Sequence, residues 1–438
     1  MKHWILAAAT LLLIQGVDAR EHWGPPPLCP QPKVDCCPKP KCPPPKPCPP
    51  KECKPKACPT EECCPKPDPC KPCCPPVCFE RGLPTKPCCT PSAYSEPAAI
   101  QLDCGWNTFV TANFIYWEAV QDGMDLAVPG QGTIVPPLSA AAQSAVGESI
   151  LFQDTDYKPG FQVGLGWSSS TCLDNWVLYA QYTWLHGSTS TDSTAPNPDV
   201  DTINGVALPQ NGLWIPSSWF SGQFQNNITT EISSEWDYKI DIVDAQISRP
   251  FYSGARFTVN PFFGLRGAWI RQSLDLSATS VAGGNVAVSD ALHEADYNSR
   301  AMSVGPRIGM NGNWHLGYGV RFEGNAAASL LFTAFDVHQN QSSPDAAGNF
   351  RFPLKTKIDD LNVLRPNLDL SLGLGWGSYF GCRRFYVDLA ATYDFSVFWQ
   401  QNMMRYLADL TENLTAHPGA AAGDLFLHGL TVKTRFDF

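Results

Sequence analysis

Thiols are the most concentrated reactive groups in this chain. Fifteen of its 18 cysteines fall between Cys29 and Cys89, and eight of them form the vicinal pairs Cys36–Cys37, Cys63–Cys64, Cys73–Cys74 and Cys88–Cys89. Two chemistries are open to such a set. One is disulfide exchange: vicinal cysteines rarely close on each other, and an odd number in one segment leaves a thiol for another chain. The other is metal binding, for which Cys48, Cys53 and Cys58 stand with four residues between neighbours. Structural zinc sites favour shorter spacings inside a folded knuckle, and proline at every second or third residue resists such turns. Cross-linking is therefore the expected chemistry. Cys104, Cys172 and Cys382 are further candidates for it, and neither a metal nor a cofactor is expected.

Catalysis finds less support. His186, His315, His338 and His428 stand singly, without an acid and a nucleophile beside them. The glycine alternations Gly164-Leu-Gly-Trp167 and Gly373-Leu-Gly-Trp376 are not followed by a helix pattern, which argues against a nucleotide loop. The net charge of −10, with no basic stripe interleaved with aromatics, argues against nucleic acid. No enzyme is expected.

The elements that position the thiols come from composition. Lys2 and His3 precede an apolar run from Ile5 to Ile14, and Val17-Asp-Ala19 offers small residues for cleavage. Residues 1–19 read as a secretory signal peptide, which implies an oxidising compartment. Residues 20–103 form a Cys/Pro-rich periplasmic segment; 24 of the 40 prolines lie in 25–91. Proline at that density removes the amide donors that helix and sheet need, so a polyproline or irregular course is expected.

Residues 104–438 read as strands. The ending Leu430-Thr-Val-Lys-Thr-Arg-Phe-Asp-Phe438 alternates apolar or small with charged or polar side chains to the last residue. Successive strand side chains point to opposite faces, so one face suits lipid and the other a polar lumen. The even positions of 314–332 and 364–376, and the odd positions of 385–397, are apolar in the same way. Weaker copies at 106–118, 160–168, 175–186, 236–249, 255–272 and 300–311 bring the visible strands to ten. A change of phase near Val243 predicts a bulge there, and 187–235 has room for another hairpin. Short links near 169–174, 250–254, 311–313 and 378–383 alternate with long ones at 119–159, 187–235, 273–299, 334–362 and 398–424, as in outer-membrane barrels with periplasmic termini. That topology puts Cys104, Cys172 and Cys382 on the periplasmic side with the Cys-Pro segment. The expected fold class is all-β: a transmembrane antiparallel β-barrel of about ten to twelve strands. By register, Arg266, Arg307, Arg321, Glu323, Arg365, Asp369, Asp388, Lys433 and Arg435 are the candidate pore-lining charges. In that register Leu370→Arg puts a charge into lipid, whereas Asp369→Arg is expected to fold normally.

Phe114-Ile-Tyr-Trp117, the stretch from Trp236 to Asp244, Asn260-Pro-Phe-Phe-Gly-Leu-Arg-Gly-Ala-Trp269 and the ending from Thr431 to Phe438 resemble the Legionella-type major outer membrane proteins. Similar porin-like proteins occur in chlamydia-related bacteria. The Cys-Pro segment instead resembles the cysteine-rich envelope proteins of chlamydiae, which cross-link the cell wall. The resemblance implies an outer-membrane porin-like channel for passive diffusion of small polar solutes, tied to the envelope by N-terminal disulfides. The alternative is a structural wall protein or adhesin with a plugged barrel. Expected partners are outer-membrane lipid and other cysteine-rich envelope proteins, with self-association left open.

Overall fold

The computed structural model describes residues 100, 102, 107–133, 142–145, 149–169, 176–194, 199–203, 206–211, 213–220, 228–252, 256–281, 291–344, 351–381, 383–412 and 422–438. The signal peptide, the Cys-Pro segment and every candidate cross-linking cysteine (Cys36, Cys37, Cys63, Cys64, Cys73, Cys74, Cys88, Cys89, Cys104, Cys172, Cys382) lie outside them.

Ten strands close a barrel: β1 (Thr108–Gln121), β2 (Tyr157–Ser168), β3 (Val177–Thr194), β4 (Ile228–Ser248), β5 (Phe257–Val281), β6 (Ala291–Gly317), β7 (Val320–Pro344), β8 (Arg351–Phe380), β9 (Phe385–Asn402) and β10 (Gly423–Asp437). Each pairs antiparallel with the next, and β10 returns to β1 with Phe109 opposite Asp437. Closure leaves no wall edge to pair with another chain. The last residue seals the seam: the Phe438 amide donates to the Thr108 carbonyl at 2.9 Å, and the Thr108 amide to that of Phe438 at 3.2 Å. One end carries short turns and both barrel termini, the periplasmic arrangement. The helix α1 (Met403–Glu412) and the short strands Asp125–Thr133 and Leu213–Pro216 belong to the other end. No helix among the described residues is long and apolar enough to cross a membrane.

Two expectations of register are corrected. The turn placed at 311–313 falls at Tyr318–Gly319, where both residues have positive φ (53° and 82°). That is the two-residue hairpin geometry that matches strand twist, and Trp314 and Leu316 belong to the strand before it. The second correction concerns Val243. Pairing runs unbroken from Glu231 to Ser248 against both β3 and β5, and the register shifts instead at Thr229/Glu231. A further shift lies at Phe335/Val337 opposite β8. Val397 keeps its outward register, paired with Leu368 and Phe426, although it is buried there. The hairpin expected in 187–235 exists as Asp199–Ile203 with Val206–Asn211, apart from the barrel wall.

What changes near Val243 is the solvent rather than the backbone. Below it, Val243, Ala245 and Ile247 point out and Asp244 and Ser248 point in. Above it the polarity reverses on the same two faces: Trp236, Tyr238, Ile240 and Ile242 are buried inside, while Glu235, Asp237, Lys239 and Asp241 point out. Strand β5 repeats the swap beyond Trp269 and β6 beyond Met302. In hydrocarbon the outer face must be apolar; in water it must be polar and the interior apolar. Strands β5 to β8, at 25–30 residues, therefore cross the membrane with their periplasmic parts and continue above it as a water-surrounded barrel.

Candidate functional site

The membrane half encloses a cavity of about 290 Å³ lined by inward residues of the wall. Eight of the nine candidate charges line it: Arg266, Arg307, Arg321, Glu323, Asp369, Asp388, Lys433 and Arg435. The ninth, Arg365, does not line this cavity. It points inward but higher, 5.8 Å above the Phe335 ring, with Nη2 3.6 Å from the Met403 sulfur.

The charges form two clusters. In the upper one, Arg266 donates two hydrogen bonds of 2.7 Å to Asp244, and its Nη1 lies 2.8 Å from Asp369 and donates to Asn367 at 2.6 Å. Arg307 donates to Asp369 at 2.8 Å, and Ser396 to the other Asp369 oxygen at 2.7 Å. In the lower one, Arg321 donates to Asp388 and to Glu323, each at 2.8 Å, while Lys433 reaches Glu323 at 3.4 Å. Arg435 donates to both Asp437 oxygens and lies 3.6 Å over the Phe109 ring. A Cβ at Gly375 would meet Arg321 and Glu323 within 2.9 Å, so the glycine alternation of 373–377 makes room for this cluster. Geometry of this kind is what lets buried ions offset their desolvation.

The lining carries five cations (Arg266, Arg307, Arg321, Lys433, Arg435) and five anions (Asp244, Glu323, Asp369, Asp388, Asp394), hence no net charge. All lie on β4 to β10. Strands β1 to β3 contribute uncharged groups, among them Asn113, Gln162, Tyr179, Gln181 and Thr183. Sequence reasoning missed this neutral wall because it ranked residues by charge. Asp244 was missed because the assumed bulge broke the even face of β4 one residue before it; an unbroken period of two would have found it.

Above the cavity the interior is closed. Trp219 and Phe220, from the chain after Leu213–Pro216, and Met403, Met404 and Leu407 of α1 pack with Trp117, Leu185, Ile240, Ile270, Phe335 and Leu425 of the wall. Polar ties hold the plug. Ser218 donates to Asp409 at 2.6 Å, Trp219 Nε1 to the Asp125 carbonyl at 3.1 Å and Tyr297 to the Trp219 carbonyl at 2.5 Å. Arg405 bridges Asp125 at 3.1 Å and Asp409 at 3.0 Å. Of the histidines, His186 lies 3.4 Å from Asp241 and His428 3.9 Å from Glu118, both pairs on the outward face; His315 faces Thr258 at 3.3 Å, and His338 is exposed.

Comparison with known proteins gives a family match over residues 102–438, to the family described as the Legionella pneumophila major outer membrane protein precursor. A search of curated protein sequences found no match. Among solved structures, the outer membrane protease OmpT from Escherichia coli aligns with a TM-score of 0.35 and 9% identity, covering 78% of this chain and 99% of that one. The Pseudomonas putida toluene transporter TodX gives 0.27 and 10% over 76% and 90%. A Pseudomonas aeruginosa FadL homologue gives 0.26 and 9% over 79% and 93%. Likenesses this low carry no argument about function.

Proposed function

The chain belongs to the Legionella major outer membrane protein family, and from that premise we propose that it is an outer-membrane channel of narrow bore for small polar solutes, closed at its outer end by the inward plug. The polar, charge-balanced cavity in the membrane half carries this reading. A closed barrel needs no ion in its interior to hold its wall, and the outer half of this same barrel is built around a large apolar cluster in which Arg405 and Arg365 are the basic side chains named above. Ten strands enclose little more than their own side chains, so passage is limited to small solutes. A second reading, a permanently plugged structural barrel, is favoured by the depth of that apolar packing: Met404 and Leu407 of α1 are at most 1% exposed.

Planar-bilayer recording separates the two. The intact protein is expected to give small, infrequent steps. Leu407→Asp puts a carboxylate into apolar packing and is expected to release α1 and lengthen the open time while the barrel keeps its heat-resistant gel mobility. Silence from both proteins, each shown to be folded, favours the plugged barrel.

The thiol-rich N-terminal segment completes the proposal as a disulfide tie to other envelope proteins. Non-reducing gels of whole envelopes are expected to show high-mass ladders that collapse with reductant, and a variant lacking residues 29–89, which keeps Cys104, Cys172 and Cys382, is expected to lose most of the ladder. Monomer bands from the intact protein without reductant would remove the tie.

A further inference from the structure

The outward face of three adjacent strands carries a row of like charges. Lys239 on β4 stands directly across from Arg271 on β5, and Arg271 directly across from Arg300 on β6. All three side chains are exposed, and among the described residues no carboxylate lies within ion-pair distance of any of them. Like charges opposite one another weaken a sheet, so two such pairs in succession are a cost that the wall alone does not offset.

Carboxylates flank the row on the neighbouring strands, but each has another partner or stands apart. On β4, Asp241 is held by Tyr182 at 2.6 Å and by His186 at 3.4 Å, and Asp237 lies on the opposite side of Lys239. Asp336 stands across from Arg300 on β7 and accepts the Asp360 amide at 3.1 Å. Four residues further out on the same three strands runs a row of the opposite sign, Glu235 across from Asp275 and Asp275 across from Asp296. That is ~13 Å away along the strands. Burial first, then the Asp296, Asp237 and Glu235 carboxylates, hold Asp275 above the usual carboxylate range; burial and Glu294 do the same for Asp296. On the outward faces of β5 and β6 the two signs are sorted by height instead of being paired.

The height of the cationic row names its partner. Trp269 and Met302 lie two residues below Arg271 and Arg300 on the same face, and below them the lipid belt continues through Leu265 and Val304, each more than half exposed. One layer lower on β4 stands Asp241, level with Trp269 and bonded to Tyr182; apart from it the row is the first charged layer above hydrocarbon on these three strands, where the headgroups of the outer leaflet sit. We propose that Lys239, Arg271 and Arg300 form a binding site for the phosphate groups of an outer-leaflet lipid. Guanidinium forks match phosphate oxygens in pairs, and the ammonium of Lys239 adds a point charge beside them. Neighbouring strands are ~4.8 Å apart, so the row spans ~10 Å, enough for two phosphates on one headgroup or on adjacent ones. The acidic row above sets an upper limit to the site by repelling anions. The assignment is independent of whether the lumen conducts.

The test uses the full-length protein in phosphatidylcholine nanodiscs doped with diphosphoryl lipid A, and measures the lipid retained per barrel. Changing all three residues to glutamine is expected to weaken retention on the order of a hundredfold, at roughly fivefold per basic side chain near an anionic surface. Dephosphorylated lipid A is expected to bind both proteins alike and weakly. In undoped phosphatidylcholine the triple variant is expected to unfold no earlier than the parent, since the like-charge row is relieved; Arg271→Gln alone provides a milder variant should the triple one fail to fold. Equal retention by parent and folded variant, or no preference for the phosphorylated lipid, overturns the proposal. Displacement by free inorganic phosphate at matched phosphate concentration would show a simple anion site and overturn the lipid assignment.

Discussion

Asp369→Arg is expected to cost the barrel about 3–5 kcal/mol, the range for breaking a buried ion cluster by removing one partner. The carboxylate stands between two guanidiniums, 2.8 Å from Arg266 and 2.8 Å from Arg307, with Ser396 on its other oxygen. Arginine there would set three cations together with Asp244 as the remaining nearby anion. Asp369→Asn is expected to cost less, because Arg266 keeps both of its bonds to Asp244. The readout is the urea midpoint of the compact, SDS-resistant band in detergent. An unchanged midpoint for the arginine variant would mean that the cluster bears no stabilising load. This reverses the expectation from alternation alone, in which a lumen-facing position tolerates either sign. Alternation tells which way a side chain points; it does not tell what it meets across the lumen, and Asp369 meets residues more than 60 positions away.

Leu370→Arg, one residue along, is expected to cost about 2–4 kcal/mol for a different reason: it places a guanidinium in hydrocarbon. Leu370 points out of the wall, 39% exposed, with Ala326 and Phe395 as its cross-strand neighbours. The effect should depend on depth. Asn340→Arg, outward on the part of β7 above the membrane, is expected to change stability by less than about 0.5 kcal/mol. Refolding into lipid vesicles followed by the same gel shift gives both values. Equal losses at the two positions would contradict the change of solvent along these strands.

The ten membrane crossings were legible in the sequence because each is written in one alphabet, apolar outside and polar inside. Their extensions were not. In 273–299 and 334–362 the period of two continues, but the apolar set moves to the inner face, so those stretches read as loops although β5 to β8 run through most of them. The same reversal was mistaken for a bulge at Val243. Eight lumen residues followed from register; Arg365 did not, because inward orientation says nothing of height, and it rises into the apolar plug beside Met403. The plug itself carried a weak signal in Trp219-Phe220 and in the helix-spaced Met403, Met404 and Leu407, whose burial depends on contacts no local pattern encodes.

The reversal of polarity along the strands has a consequence for how the protein stays where it is put. A barrel that arrives from the periplasm must carry its outer half through the bilayer once, before or while the wall closes. Afterwards Lys239, Arg271, Arg300, Glu235, Asp275 and Asp296 all point out of a closed wall on the far side. To slip back, each would have to pass through hydrocarbon, at ~2–4 kcal/mol for a basic side chain at the midplane and less for an acidic one. No rearrangement of a closed wall can turn them inward, since a one-residue slip would have to propagate around all ten strands. The charged outer half therefore works as a barb, and the depth and direction of insertion are fixed kinetically even where the equilibrium gain per residue is small.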